Sequence, residues 1–369
     1  MDPELEAALR PLPQATTLPP RCYVDPDFYA REVERIFRRE WLCVARADQL
    51  PKAGDFISFE LFGDPLVAVR GDDGEIRVLS RVCRHRFMPV VSGSGTRRSF
   101  QCPYHLWTYA LDGRLLGAPE MDRAADFARD ACRLPSLRVE TWEGFVFASF
   151  DSQAAPLAPR LAGLQRAIAP YRVAEMRTTE PLVFEHVWNW KVMVENFIES
   201  YHHAGVHPDT LQPLVPASGT FADDTEGDAF AILHNPTRQR VPIPALFPAT
   251  PGLDDAQRAE FVVAAVFPFH LFSVQHDSLV WYRLEPRAHD RFALHIHLCV
   301  PPHAAEHDGY AEQLAGMKLL LDTVHRQDIA ACTGVWQGLG SRLAAPGRLS
   351  HLEKAIWQLN RFVLERVAR

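Results

Sequence analysis

The chain lacks several features that would place it in a broad class of protein. It has no run of about eighteen or more apolar residues, so we predict no transmembrane helix and no membrane partner. Its first residues, MDPELEAALRPLPQ, are acidic and show neither the basic nor the apolar block of a secretory signal, which favours the cytoplasm. Basic residues are not in excess, since the net charge is -7 and the pI is about 6.1, and this argues against nucleic acid as a partner.

Cysteine is also sparse. The seven cysteines are odd in number and scattered, so they do not indicate a disulfide framework. A reducing compartment such as the cytoplasm fits this pattern. Apolar residues, in contrast, make up 47% of the 369 positions, which is enough for a sizeable core and too many for a disordered chain. Most of the cysteines are expected to be buried, inert thiols, with two exceptions.

The hydrophobic periodicity predicts an α+β protein of two domains. Helical spacing over 26–40 gives way, from about 42 to 150, to short β-type runs separated by turn sequences such as GDDG, LDGR and GSGTRR. A Pro/Ala-rich segment at 151–160 is the best boundary. Later elements include helices near 157–170, 307–331 and 349–367 and a strand over 180–188. The predicted divisions are an N-terminal helical segment over 1–40 that packs on the second domain, an all-β domain over 41–152, and a domain over 153–369 with an antiparallel sheet backed by helices.

Two short segments of the predicted β domain each pair one cysteine with one histidine. Cys83 and His85 are spaced C-x-H, and Cys102 and His105 are spaced C-x-x-H. Structural zinc sites usually place like ligands together, so this mixed arrangement fits zinc poorly. One sulfur and one nitrogen from each segment suit a [2Fe–2S] centre in which the cysteines bind one iron and the histidines bind the other. The four side chains are therefore candidate ligands of such a cluster.

These segments resemble the Rieske segments of aromatic-ring-hydroxylating oxygenases. The residues CRHR and CPYHLWTYALDGRLLG carry the resemblance, and Asp112-Gly113 is typical of a hairpin turn in a small β domain. Two positions depart from the family pattern, which usually has glycine where this chain has Phe87 and Leu106. Neither is a ligand position, so we expect the departures to affect loop packing or partner docking more than cluster binding.

Three histidines are clustered in the segment SYHHAGVHPDTL. His203 and His207 are four residues apart and would share one face of a helix, so periodicity alone nominates that pair as metal ligands. The run NWKVMVENFIESYHHAGVHP, however, resembles the catalytic stretch of the same oxygenases, in which a Y-H-x4-H pattern supplies two iron ligands. The resemblance implies that His202 and His207 bind iron and that His203 does not, with the helix loosened around Gly205.

A facial 2-His-1-carboxylate iron site also needs one acid. The segment HRQDIAACTGVWQGLGS resembles the family helix that supplies this acid, and it implies Asp328 as the third ligand, with Asp322 as the rival. Glu199 matches the position of the family's bridging acid, which joins a Rieske histidine to an iron-bound histidine through hydrogen bonds. The resemblance also places Asn196 near the iron.

The resemblance implies a terminal oxygenase, which uses dioxygen and delivered electrons to hydroxylate an aromatic or other small organic substrate. Its fold would be a Rieske domain ahead of a catalytic domain of the helix-grip type. The implied cofactors are a Rieske [2Fe–2S] cluster and a mononuclear Fe(II). Electrons would come ultimately from NAD(P)H through a separate ferredoxin or flavin reductase, because the chain has no G-x-G-x-x-G nucleotide fingerprint.

The resemblance also implies a head-to-tail homotrimer or a hexamer. In such a ring His105 of one subunit would reach His202 of the next through Glu199.

Several alternatives remain open at this level. One is a monooxygenase that removes a methyl group from an N-methylated or quaternary amine or from a natural product, with an aromatic box for the cation. Candidate box residues are Phe267, Phe269, Phe272, Trp281 and Tyr282. Another is an electron-transfer Rieske protein without oxygenase activity, and a zinc-binding interaction module is the most remote.

Overall fold

The chain divides into two units, each with its own strands. The structure is a computed structural model that describes residues 2–225, 227 and 229–367. One unit is Arg38–Ala155, and the other combines the segment before it with the segment after it. None of the described helices is long and apolar enough to cross a membrane.

The unit Arg38–Ala155 consists of short antiparallel strands. They form a three-stranded sheet in the order β1-β10-β9, a four-stranded sheet in the order β4-β3-β2-β5 and a three-stranded sheet in the order β6-β7-β8. The strands are β1 Leu42–Arg46, β2 Asp55–Leu61, β3 Asp64–Arg70, β4 Ile76–Ser80, β5 Ser94–Thr96, β6 Phe100–Gln101, β7 Thr108–Tyr109, β8 Leu115–Gly117, β9 Arg138–Trp142 and β10 Phe145–Ser149. Phe56 of β2, Phe100 of β6 and Trp107, which directly precedes β7, share one buried cluster with both candidate cysteines.

The other unit contains an eight-stranded antiparallel sheet. Its order is β11-β18-β17-β16-β15-β14-β13, and β12 also pairs with β18. The strands are β11 Arg177–Thr178, β12 Leu182–His186, β13 Phe221–Ala222, β14 Phe230–Pro236, β15 Glu260–Val266, β16 His270–Gln275, β17 Ser278–Ala288 and β18 Arg291–Val300. Their β-branched and aromatic runs favour the extended conformation.

Helices accompany this sheet. They are α1 Pro3–Leu9, α2 Arg21–Val24, α3 Pro26–Glu32, α4 Leu157–Arg160, α5 Ala162–Ile168, α6 Trp190–Phe197, α7 His203–Val206, α8 Asp255–Arg258, α9 Tyr310–Leu339 and α10 Lys354–Val367. The predicted helix over 26–40 is instead α3 followed by a π-helical turn, Val33–Phe37. The helix predicted near 157–170 is interrupted at Leu161, and α9 continues eight residues past its predicted end.

Buried polar contacts fix the first turn of α6. Asn189 caps the helix, since its side chain accepts a hydrogen bond from the Lys191 N–H at 3.0 Å and donates to two backbone carbonyls. The Nζ atom of Lys191 lies 2.6 Å from Oε1 of Glu32, and both side chains are fully buried. These contacts position the helix that leads directly to Glu199.

Candidate active site with two metal centres

The two Cys/His segments form loops with the same backbone hydrogen bonds. In each loop the cysteine N–H donates to the carbonyl five residues later, and the N–H four residues later donates to the cysteine carbonyl. The two distances are 2.9 and 3.1 Å in the loop of Cys83, and 2.8 and 3.1 Å in the loop of Cys102. The repeated pattern presents one sulfur and one imidazole from each loop.

The four side chains of these loops fit a metal cluster. Cys83 and Cys102 are buried, and the ring centroids of His85 and His105 are 4.6 Å apart. The Nδ1 atoms of both histidines are buried and have no hydrogen-bond partner. A buried polar atom without a partner is costly, so these two nitrogens are suited to metal coordination.

The spacing of ligand atoms separates the two candidate centres. Among the described residues, the one set of three or more metal-binding side chains whose ligand atoms all lie within 4.8 Å of one another is His202, His207 and Asp328. The Cys/His loops do not meet that limit. A tetrahedral zinc ion would hold its four ligands that closely, whereas a binuclear cluster places cysteines and histidines on opposite irons. The geometry therefore favours the cluster over zinc.

Phe87 and Leu106 adopt an unusual backbone conformation beside the cluster loops. Their φ angles are 61° and 60°, in the left-handed region that glycine occupies without strain. Their side chains are 81% and 53% exposed, so no packing within the chain compensates for the conformation. Each loop therefore exposes a bulky apolar side chain on a backbone conformation that suits glycine.

The second centre is assembled from two distant parts of the sequence. His202 immediately precedes α7 and His207 immediately follows it, while Asp328 is on α9. Nε2 of His207 lies 2.9 Å from Oδ1 of Asp328, and Nε2 of His202 lies 3.6 Å from the same oxygen. Two imidazoles and one carboxylate on one side of a potential ion make up a facial triad, with room for other ligands.

The outer nitrogens of both histidines have oxygen partners. Nδ1 of His202 lies 2.5 Å from Oε1 of Glu199, and the His202 N–H donates to Oε2 of the same carboxylate at 3.1 Å. Nδ1 of His207 lies 2.7 Å from Oε1 of Gln327. With a proton on each Nδ1, both Nε2 lone pairs are directed toward Asp328, as metal coordination requires.

The rival residues lie outside this centre. Nδ1 of His203 is 3.0 Å from the carbonyl of Val215, and burial lowers the pKa of His203 to about 4, so it is a neutral core residue. Asp322 forms an exposed ion pair with Arg326 one turn along α9.

The expected loosening at Gly205 is wrong. Gly205 lies within α7, and the chain leaves helical geometry before it, between α6 and α7, and after it, at His207 with φ -119° and ψ 43°. The chain therefore forms two short helices here, and the expectation that His203 and His207 share one face of a continuous helix does not apply.

Asn196 contacts this centre. Two further residues near it, Gln327 and Thr210, were not predicted from the sequence. Nδ2 of Asn196 donates to Oδ1 of Asp328 at 3.3 Å. Thr210 Oγ1 donates a hydrogen bond to Oε1 of Gln327 at 2.9 Å. The position of Gln327 next to Asp328 was an available signal, whereas nothing local distinguishes Thr210.

Electrostatics differ between the two centres. Burial, with the nearby His105 and Arg86, lowers the pKa of His85 and keeps its ring neutral. For His207 burial acts to lower the pKa, but the hydrogen bond and charge of Asp328 outweigh it and raise the pKa above its usual value. A metal ion that binds Nε2 of His207 must displace the proton held there, so metal binding is coupled to pH.

The five candidate box residues do not come together. Phe267 packs on Phe362 of α10, and Phe269 contacts Phe37 and Trp190, so both belong to the core. Trp281 and Tyr282 are consecutive in β17 and therefore face opposite sides of the sheet. The ring of Tyr282 lies 5.9 Å from that of His325, which is on α9 three residues before Asp328.

Comparison with known proteins identifies both units. Residues 40–138 match the Rieske [2Fe-2S] domain, and residues 173–369 match the ring hydroxylating alpha subunit (catalytic domain). A quaternary ammonium Rieske monooxygenase has the same fold, with a TM-score of 0.83 and 24% identity over 99% of this chain and 98% of that one. The predicted α+β class, with a Rieske domain ahead of the catalytic domain, is confirmed.

Curated relatives share a shorter segment. The carnitine monooxygenase oxygenase subunit of Escherichia coli (strain K12) is 34% identical over 198 residues, 53% of each chain. The biphenyl 2,3-dioxygenase subunit alpha of Rhodococcus jostii (strain RHA1) is 37% identical over 194 residues, 51% of this chain and 42% of that protein. The chain thus aligns with about half the length of each relative or less.

The catalytic-domain match covers more than half of the chain, and the candidate metal centres occupy the two matched regions. The predicted cofactor classes, a Rieske cluster and a mononuclear iron, are those of this family. The chain belongs to the ring hydroxylating alpha subunit family and carries a Rieske [2Fe-2S] domain.

Proposed function

We propose that this protein is the terminal oxygenase of a multicomponent Rieske system, which hydroxylates a small organic substrate with dioxygen. The observation that carries the proposal is the convergence of His202, His207 and Asp328 within 4.8 Å. Two neutral imidazoles and a carboxylate are the donor set of non-haem Fe(II) oxygenases. When bound, that iron supplies the dioxygen chemistry.

The chain's own residues prepare this centre. Glu199 and Gln327 accept hydrogen bonds from Nδ1 of His202 and of His207, and both Nε2 atoms are thereby left for the metal. Asn196 donates to Asp328 and holds one carboxylate oxygen in place. Asp328 Oδ1 thus lies near Asn196, His202 and His207 together.

Cys83, His85, Cys102 and His105 are the proposed ligands of the Rieske cluster. Their support is the identical hydrogen bonding of the two loops and the unpartnered Nδ1 atoms. When bound, the cluster supplies single electrons. These would arrive from a separate ferredoxin or flavin reductase, with NAD(P)H as the ultimate source.

The proposal includes a head-to-tail trimer, or a hexamer of two trimers, in which Glu199 lies between His105 of one subunit and His202 of the next. In the single chain the side chains of Glu199 and His202 keep 10% and 16% of their surface exposed, so a neighbour has access to them. Leu319, Leu320 and Val335 are exposed apolar residues of α9, which favours association. The structure of the quaternary ammonium enzyme is itself described as informative about inter-subunit electron transfer.

The proposed substrate class is an N-methylated or quaternary amine. The relative from Escherichia coli is a carnitine monooxygenase oxygenase subunit, and carnitine is a quaternary amine. Residues 38–155 contain equal numbers of basic and acidic side chains, so the whole net charge of -7 resides outside the Rieske unit and favours a cation. An arene is the second candidate, supported by the match to the biphenyl enzyme.

Reductant-driven turnover of the iron-loaded protein tests both candidates. The panel contains arenes, N-methylated amines and quaternary ammonium compounds, with product masses and formaldehyde measured in parallel. Hydroxylation of a carbon bonded to nitrogen gives a carbinol that separates into an aldehyde and a smaller amine. Aldehyde formation with amine release would support the amine proposal, and a hydroxylated ring without aldehyde would replace it with arene oxidation.

A different class of function, electron transfer without oxygenation, makes an opposite prediction for the iron content. It requires that the triad bind no iron and that only the cluster be present. Oxygen uptake coupled to product formation would exclude it.

A further inference from the structure

We propose that Gln327 and Thr210 are positioning residues that fix the tautomer and the orientation of His207. The inference rests on the proposed iron site and assigns roles to two residues outside its ligand set. Neither residue touches the position of a metal bound by His202, His207 and Asp328, so each acts through His207.

The amide oxygen of Gln327 receives two hydrogen bonds. Nδ1 of His207 lies 2.7 Å from it, and Thr210 Oγ1 donates to it at 2.9 Å. A carbonyl oxygen can only accept hydrogen bonds, so the contact between Oε1 and Nδ1 places a proton of His207 on Nδ1. Nε2, 2.9 Å from Oδ1 of Asp328, is then the nitrogen left for the metal.

Thr210 contacts the Gln327 amide in the orientation that the structure shows, with Oε1 toward both Thr210 and His207. If the amide were reversed, its NH2 group would face Nδ1 of His207 and would favour a proton on Nε2, where the metal has to bind. The hydroxyl of Thr210, only three residues after His207, stabilises the productive orientation of the amide.

Gln327 also ties two separate segments together. It precedes Asp328 directly on α9, while His207 and Thr210 belong to the segment that follows α7. One side chain therefore sets the spacing between a histidine ligand from one segment and the carboxylate ligand from the other. Orientation of a ligand by such a partner typically changes metal affinity by about 10- to 100-fold.

The two histidines differ in the charge of their partners. His202, which is 16% exposed, is paired with the Glu199 carboxylate, whereas His207, which is 1% exposed, is paired with a neutral amide. Burial of a charge costs far more than burial of an amide, so a neutral partner suits the interior position. The arrangement leaves the anionic partner on the histidine proposed to face the cluster of another subunit.

Loss of mononuclear iron to a ferrous chelator tests the assignment. The protein is the reduced holoenzyme without substrate, and the variants are Gln327→Leu, Gln327→Glu and Thr210→Val. The matched control is Thr323→Val, which removes an exposed hydroxyl from α9. The visible spectrum of the Rieske cluster reports the integrity of the other centre.

We expect Gln327→Leu to lose mononuclear iron about 10- to 100-fold faster than the wild type. Gln327→Glu retains an acceptor for Nδ1 and should restore slow loss, Thr210→Val should have a smaller effect of the same sign, and Thr323→Val should have none. The nitric oxide adduct of the ferrous site should show an altered electron paramagnetic resonance spectrum in Gln327→Leu.

Iron loss in both Gln327→Leu and Thr210→Val at the rate of Thr323→Val would overturn the assignment. If Gln327→Leu disturbs the helix by circular dichroism, the comparison of Thr210→Val with Thr323→Val decides the question. A wild-type protein that binds no mononuclear iron would instead refute the proposed function, and the assignment with it.

Discussion

Replacement of Lys191 by methionine removes one partner of the buried ion pair at the start of α6. Both Lys191 and Glu32 are fully buried, and the pair is closed by a 2.6 Å contact and by the indole N–H of Trp190 at 3.1 Å from Glu32. Breaking a buried pair by removing one partner costs about 3–5 kcal/mol, because the other charge is left without compensation. We expect that loss in the free energy of unfolding, measured with guanidinium chloride and far-UV circular dichroism.

The sign of the pH dependence provides a second check. Burial already raises the pKa of Glu32 despite the opposing charge of Lys191, and loss of Lys191 raises it further. When the folded-state pKa of a carboxyl is raised, the protein loses stability as pH rises above the pKa of that carboxyl in the unfolded state. Lys191→Met should therefore be less destabilised at pH 5 than at pH 8.

A double variant supplies the control for this prediction. Lys191→Met combined with Glu32→Gln removes both charges and leaves an acceptor for Trp190, so most of the lost stability should return. Additive effects of the two single substitutions, with no recovery in the double variant, would refute the reasoning.

Three further predictions follow from other contacts. Phe87→Gly and Leu106→Gly should each raise the thermal midpoint of the Rieske unit, followed by visible circular dichroism, because about 1 kcal/mol of left-handed strain is relieved at an exposed site; an unchanged or lower midpoint would contradict this. Glu199→Gln should retain both metals and slow single-turnover product formation at least tenfold, since the bridging anion is lost, and wild-type kinetics would exclude the bridging role. Burial raises the pKa of Glu285, but His295 and Arg283 outweigh that effect and lower it to about 2. The wild type should therefore lose stability as pH falls from about 4.5 toward 2, and Glu285→Gln should lose less. Parallel stability profiles of the two proteins would contradict this prediction.

Local sequence patterns predicted most of the fold. The strands from β14 to β18 and the helix α9 have strong hydrophobic periodicity over many residues, so their type can be predicted without knowledge of tertiary contacts. The cluster loops could also be predicted from the sequence, because all four proposed ligands lie within two short segments. The π-helical turn at Val33–Phe37 was not predictable, since helical spacing of apolar residues does not distinguish it from an α-helix.

The choice between His202 and His203 shows where local reasoning fails. Ideal helix geometry selected His203 with His207, and only the family resemblance indicated His202. The structure explains the failure, because α6 and α7 are separate and His207 has left helical geometry. What holds His207 there is Gln327, 120 residues away along the chain, and no pattern within the histidine segment reports that contact.

We propose that one chain holds a Rieske cluster and a separate mononuclear iron. Iron and acid-labile sulfide should be measured in anaerobically reconstituted wild type and in Asp328→Ala. We expect about three irons and two sulfides per chain in the wild type. In Asp328→Ala we expect about two irons and an unchanged cluster spectrum. Two irons in each protein would refute the mononuclear site and indicate an electron carrier.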